Sequence, residues 1–371
     1  MFYPRFISES VCEGHPDKIC DQISDAILDE ALKLDPFSHV GVECLATTNK
    51  LIIAGEVKSQ AELDYKEIAR EVVKSLDYDN PKYNFDYKTL DIEVLVHEQS
   101  LDIDIGVKAG GAGDQGMMFG FASDETRQYM PMPITLANKL AEGLDMVRKK
   151  KQIPYLRPDG KSEVVVRYNK KMEPVGVDKV VIAVPHREGM RWRDIKPDIY
   201  EYVITPILSN YKYKISMDDL IVNGTGQWFI GGPASDMGET GRKIIVDSYG
   251  GVARVGGGCF SGKDPTKVDR AGAYAARYLA KNIVASGRAK RCEVMIGYVI
   301  GQPEPVAKAI NCKDTEKYPL KEIERYAWKL LDLSVGGIID GLHLRRPVPY
   351  RKTARYGHFG HSKYPWERLA V

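Results

Sequence analysis

Apolar residues near the start of the chain recur at helical spacing. Ile19, Ile23, Ile27, Ala31 and Leu34 form one stripe, which predicts a helix from Pro16 to Leu34. Pro16 suits the first helical position because it has no N–H to lose. The pattern then switches to strands. HVGVECLATT and KLIIAGEV meet at Asn49-Lys50 as a hairpin. Ala61–Leu76 patterns as a surface helix and Asp91–Ser100 as a strand. A glycine-rich loop, Lys108 to Gly113, reads as a mobile lid. Asp114 and Gln115 follow it and lead into an apolar strand. Thr135–Lys151 is amphipathic and helical, and LRPDGKSEV turns into the strand pair EVVVRYNKKMEPVGVDKVVIAV. Further on come a short helix at Asp198–Leu208, a strand in DLIVNG and a short strand candidate at Lys243–Val246. A helix in RAGAYAARYLAKNIVA, a strand in RCEVMIGYVI and a helix at Lys321–Leu331 complete the pattern. Strand pairs alternate with helices three times. That predicts an α+β chain of three similar units, with no residue-by-residue repeat.

Glycine concentrates in three places: KAGGAGDQG, Gly231–Gly251 and GGGCFSGKDPTKVD (Gly256–Asp269). Glycines let backbone N–H groups approach a ligand that side chains would block. Lysines at a helix mouth add charge where anions are already favoured. Gly257–Lys263 satisfies G-x-x-x-x-G-K, but Asp264 stands where a P-loop needs Ser or Thr. The pattern predicts a polyphosphate cradle of another design.

Composition narrows the partners. With 371 residues, 43% apolar and 28% charged, the chain is that of an ordinary globular protein of two or three domains. A net charge of +2 implies no general attraction to nucleic acid or acidic membranes. No run of roughly 18 apolar residues and no signal-like N-terminus occurs, so a cytoplasmic location is expected. The cysteines (Cys12, Cys20, Cys44, Cys259, Cys292, Cys312) are scattered without C-x-x-C, which fits reduced thiols. His358 and His361 lack a third ligand nearby and are not expected to bind metal.

Candidate chemistry gathers at His15, Asp17, Asp114, Lys161, Asp236, Arg242, Lys243, Lys263, Lys267 and Asp269. The five cations among them suit a bound triphosphate of about four negative charges partly neutralised by Mg²⁺. Asp17 and Asp269 are hard oxygen ligands suited to that ion. No nucleophile–base pair stands out. The expected chemistry therefore needs leaving-group stabilisation more than deprotonation.

SESVCEGHPDKICDQISDAILDEAL, GAGDQGMMFG, GGPASDMGETGRKIIVDSYGG, GGGCFSGKDPTKVDR and RYGHFG occur in this order. Together they resemble the bacterial-type S-adenosylmethionine synthetase (methionine adenosyltransferase) family, over essentially the whole chain. The resemblance implies attack of the methionine sulfur on C5′ of ATP, expulsion of tripolyphosphate and its hydrolysis to pyrophosphate and phosphate. A thioether carries no proton, so no general base is needed. The barrier lies in the charge on the leaving group.

The resemblance also implies residue roles. His15, Lys161, Arg242, Lys263 and Lys267 become catalytic. ATP falls to His15, Asp159, Lys161, Trp228, Asp236, Arg242, Lys243, Cys259 and Lys263, and methionine to Glu56, Gln99, Asp114, Asp236 and Lys267. Asp17 and Asp269 take Mg²⁺ (two ions), and Glu43 takes K⁺. The implied fold has three α+β units, 1–100, 112–228 and 231–371, around a pseudo-threefold axis, with a loop at 101–111. The implied assembly is a homodimer or dimer of dimers, packed through its sheets, with shared sites. Four features depart from the family's usual pattern. Gln227-Trp228 stands in place of Arg-Phe, Cys259 replaces a frequent Ala, Ala271-Gly272 follows Arg270 where Ser-Ala is usual, and the 101–111 loop is shorter. A kinase or phosphotransferase could use the same cradle, but would need a positioned base. A non-catalytic nucleotide-binding module would need neither His15 nor Glu56.

Overall fold

The computed structural model describes residues 3–98, 110–345 and 348–370. Its strands are β1 (Arg5–Val11), β2 (His39–Thr47), β3 (Lys50–Lys58), β4 (Asp91–His97), β5 (Gly116–Ser123), β6 (Lys161–Tyr168), β7 (Pro174–Ala183), β8 (Leu220–Val222), β9 (Gly238–Glu239), β10 (Arg291–Tyr298) and β11 (Ala307–Asn311). The helices used below are α1 (Pro16–Leu34), α2 (Tyr65–Ser75), α3 (Met132–Lys149), α4 (Trp192–Ile199), α5 (Thr205–Asn210), α6 (Ile244–Asp247), α7 (Val268–Ala285) and α8 (Leu320–Ala327).

Three sheets result within the α+β chain, in the orders β4-β3-β2-β9 and β1-β6-β7-β8, each with one parallel pair, and β11-β10-β5, antiparallel throughout. Each recruits a strand from a different stretch of sequence. β9 joins the first sheet, β1 pairs along β6 in the second, and β5 pairs along β10 in the third. The long helices α1, α3 and α7 each cover one face of a sheet, against β2, β1/β6 and β5/β10 respectively. The apolar stripe expected on α1 is fully buried at Ile19, Ile23, Ile27 and Ala31, whereas Leu34, at the helix end, is exposed. The opposite sheet faces carry exposed apolar residues, including Ile7, Leu95 and Met117, one from each sheet. Among the described residues, no helix is long and apolar enough to cross a membrane.

Local pattern and outcome differ in three places. Lys243–Val246 is not a strand. Residues Ile244–Asp247 form the helical turn α6, whose end is tied by Lys18 to Asp247 and by the Ser248 hydroxyl donating to the Ile244 carbonyl. The helix expected at Asp198–Leu208 is instead α4, a wide π turn at Tyr200–Ile204, and α5; Pro197 inside α4 removes a donor there. β11 escapes patterning because only Ile310 of its five residues is buried. Gln99, Lys108, Ala109 and most of the expected 101–111 loop lie outside the described residues, whereas Gly110–Gly113 are described, with the Ala112 N–H donating to the Gln302 carbonyl and the Gly113 N–H to the Thr266 carbonyl.

Candidate active site

The site begins at the mouth of α1. His15 is its N-cap, and Nδ1 accepts the N–H of Asp17 at 3.2 Å. An Nδ1 that accepts leaves the proton of the neutral ring on Nε2. Burial, followed by the charge of Lys243, lowers the His15 pKa to about 3, so the ring stays neutral near pH 7. Asp17 is also buried. Its Oδ1 accepts the Glu239 N–H at 3.0 Å, and Lys243 Nζ lies 2.5 Å from Oδ2. Burial favours protonation of Asp17, but Lys243 and the Glu239 N–H outweigh it and hold the carboxyl below its ordinary range. Arg242 Nε stands 3.9 Å from Asp17 Oδ1 with its side chain 45% exposed. Lys161, at the start of β6, is near enough to act on His15.

β2 explains why the glycine-rich segments converge. Its edge takes Gly238 and Glu239 opposite Ala46 and Leu45. At its other end, the Val42 N–H donates to the Gly262 carbonyl and the Asp264 N–H to the Val40 carbonyl. Asp264, the residue that breaks the P-loop pattern, fastens this loop. It is fully buried and accepts from the Val40 N–H, the Thr266 N–H and hydroxyl, and Lys267 at 2.7–2.9 Å.

A second group lies on that loop. Lys263 pairs with Asp269, and Asp114 Oδ2 is 3.9 Å from Lys263 Nζ. Burial, with Asp114 beside it, raises the Asp269 carboxyl despite Lys263. The carboxylates of Asp114 and Asp269 thus share one lysine, and their hard oxygens are the donor type that Mg²⁺ takes. Cys259 Sγ reaches 4.0 Å from Glu43 Oε1, and burial pushes its thiol up to about 12. Gly241, at φ +83°, packs its Cα against Cys259, so it joins the two groups. No contact among the described residues links Asp17 directly to Asp269. Lys267, held by Asp264, has its side chain 12% exposed.

The remaining residues spread around these groups. Asp159 accepts the N–H groups of Gly160 and Gly232 at 2.7 and 2.8 Å, pinning the Gly231–Gly232 turn. Burial raises its pKa to about 6. Trp228 donates its indole N–H to the Ile230 carbonyl at 2.7 Å, and its own carbonyl accepts the His186 N–H. Asp236 is exposed beside the turn. Glu56 lies opposite Gly41 in the hairpin, on the same face as Glu43, and 3.5 Å from His97 Nε2. The two tail histidines are occupied: His358 Nδ1 is 2.8 Å from the Tyr274 hydroxyl, and His361 Nε2 faces the Tyr356 and Gly357 carbonyls. Among the described residues no group of three or more His, Cys, Asp or Glu gathers as a metal cluster.

Sequence patterning missed what lies behind Asp17. Asp17, Asp21, Asp25 and Asp29 recur every fourth residue along one side of α1. Each accepts backbone N–H groups from a distant segment: Glu239 at Asp17, Gly241 at Asp21, Gly262 at Asp25, and Tyr350 with Arg351 at Asp29. Lys18 balances Asp21, and Arg270 balances Asp25 at 2.7 and 2.9 Å. The fourfold spacing was the available signal; the partners lie more than two hundred residues away.

Three helix-backed sheets and a cation-rich site of this composition define the class, an α+β enzyme of three units. Family models described as S-adenosylmethionine synthetase N-terminal, central and C-terminal domains match residues 4–101, 109–228 and 230–368. The chain belongs to the S-adenosylmethionine synthetase family. It is 48% identical to an S-adenosylmethionine synthase of Staphylococcus epidermidis, over 98% of this chain and 95% of that protein. It is 50% identical to one of Brachyspira hyodysenteriae, over 99% and 96%. A Corynebacterium kroppenstedtii relative of the same name is 45% identical, over 98% and 96%.

Proposed function

We propose that this protein is a methionine adenosyltransferase that makes S-adenosylmethionine from ATP and L-methionine. The observation that carries the reading is His15. It is buried, neutral and bound through Nδ1, so its Nε2–H is a donor fixed at the mouth of α1 beside Lys243 and Lys161. Such a donor can meet the oxygen that leaves C5′ as the methionine sulfur attacks. Lys161, Arg242, Lys263 and Lys267 take up the charge developing along the polyphosphate. Fixed donors do this without reorganising, and no base is required because the sulfur lone pair is free.

Asp17 and Asp269 would hold two Mg²⁺ ions, which neutralise phosphate charge when bound, and Glu43 would hold K⁺. Asp159, Trp228, Asp236, Lys243 and Cys259 are assigned to ATP. Glu56, Gln99, Asp114, Asp236 and Lys267 are assigned to methionine. The released tripolyphosphate is hydrolysed to pyrophosphate and phosphate in the same cradle. The chain divides into units at 1–100, 112–228 and 231–371 with an active-site loop at 101–111, and it works in the cytoplasm.

We infer a homodimer or dimer of dimers with shared sites. The apolar residues left on the uncovered sheet faces, Ile7, Leu95 and Met117, support it.

Incubation with ATP, methionine, Mg²⁺ and K⁺ should yield a sulfonium product with pyrophosphate and phosphate. ADP in its place would support a kinase.

A further inference from the structure

Lys18 follows Asp17 on α1, yet its side chain is 1% exposed. Its ammonium lies 2.8 Å from Asp21 Oδ2 and 2.5 Å from Asp247 Oδ1, and both carboxylates are buried as well. Asp21 uses its other oxygen to accept the Gly241 N–H at 2.9 Å. Asp247 closes α6, and its own N–H returns to the Lys243 carbonyl at 2.8 Å. Residues 241–247 are thus tied at both ends to one ammonium, and they carry Arg242 and Lys243 in consecutive positions. Gly241 adds a third restraint, because its φ of +83° and its contact with Cys259 leave no room for a side chain.

Three charged groups buried together are a poor way to gain stability; apolar side chains would fill the space at lower desolvation cost. Apolar side chains could not accept the Gly241 N–H or anchor α6.

We propose that Lys18, Asp21 and Asp247 form a positioning unit that fixes the backbone of Gly241–Lys243, so that Arg242 and Lys243 are aimed at the polyphosphate. None of the three touches substrate. The unit acts through Gly241 at one end and α6 at the other. This deepens the adenosyl-transfer reading and rests on it for the identity of the bound anion.

The test uses the full chain. Asp21→Glu keeps the charge opposite Lys18 but adds one methylene behind Gly241. A misplacement of that size should lower kcat by about 10²-fold and weaken binding of inorganic tripolyphosphate, with the methionine KM unchanged. In an Arg242→Ala/Lys243→Ala background, Asp21→Glu should weaken tripolyphosphate binding no further, because the groups it aims are gone. Wild-type kcat and tripolyphosphate affinity in Asp21→Glu would overturn the proposal. So would an equal loss in both backgrounds, which marks a general structural effect. If Asp21→Glu does not fold, Asp21→Asn takes its place, with the same expected split between kcat and methionine KM. Failure of the adenosyl-transfer reading is separate: the wild-type protein would make no sulfonium product, while the tripolyphosphate measurement would still decide the positioning role.

Discussion

Gly258 lies directly against the carboxyl group of Asp269, so closely that a methyl on its Cα would overlap both carboxylate oxygens. The glycine is there for space, since its φ is not in the left-handed region. Gly258→Ala should displace Asp269 from Lys263. The Mg²⁺ concentration needed for half-maximal activity should rise by about 10–100-fold, the size of effect seen when a ligand's support is disturbed. A Mg²⁺ titration of activity checks this, and an unchanged titration would remove Asp269 from the metal site.

Lys263 sits between Asp269 and Asp114. Lys263→Met removes its charge with little change in length. Loss of one transition-state donor predicts a fall in kcat of about 10²-fold. Steady-state kinetics at saturating Mg²⁺ would show it, and an unchanged kcat would mean that Lys263 serves only to pair the two carboxylates.

Asp159 gives a pH prediction. Burial raises its folded pKa to about 6, against about 3.9 when unfolded. Between these values the folded state binds more protons than the unfolded state, so this group's contribution to stability falls as pH rises from about 4 to about 6. Asp159→Asn lacks that titration. The difference in unfolding free energy between wild type and Asp159→Asn should therefore vary across this window and flatten above it. Urea unfolding at several pH values tests the slope, and parallel curves would contradict it.

Cys259 is half-buried and desolvation pushes its thiol pKa up to about 12, so little thiolate is present near pH 7. Inactivation by a maleimide should be slow at neutral pH, accelerate as pH rises and be retarded by ATP. Cys259→Ala should keep its turnover and lose the ATP-protected phase. Rapid ATP-insensitive inactivation at pH 7 would place the reactive thiol elsewhere.

The elements most legible in the sequence are those set by their own residues. The bounds of α1 follow from Pro16 and the isoleucine stripe, and the hairpin turn is explained by Asn49 at φ +51°. Elements set by distant partners were not legible. The two-residue β9 exists because the edge of β2 needs donors, and α6 because Lys18 captures Asp247. The same divide runs through the site. His15, Asp17, Lys263 and Asp269 stand in conspicuous glycine-rich or helix-mouth contexts. Lys18, Asp21 and Asp25 read as the polar side of an amphipathic helix until the segments they hold are known.

The central claim is that C5′ of ATP is the point of attack. ATP carrying ¹⁸O at the oxygen between C5′ and the α-phosphorus tests it most directly, with methionine, Mg²⁺ and K⁺ present. Attack at carbon breaks the C5′–O bond, so all of the label should leave with the phosphate products and none should remain in the nucleoside product. Label retained on C5′ of the nucleoside product would show cleavage at phosphorus and contradict the account.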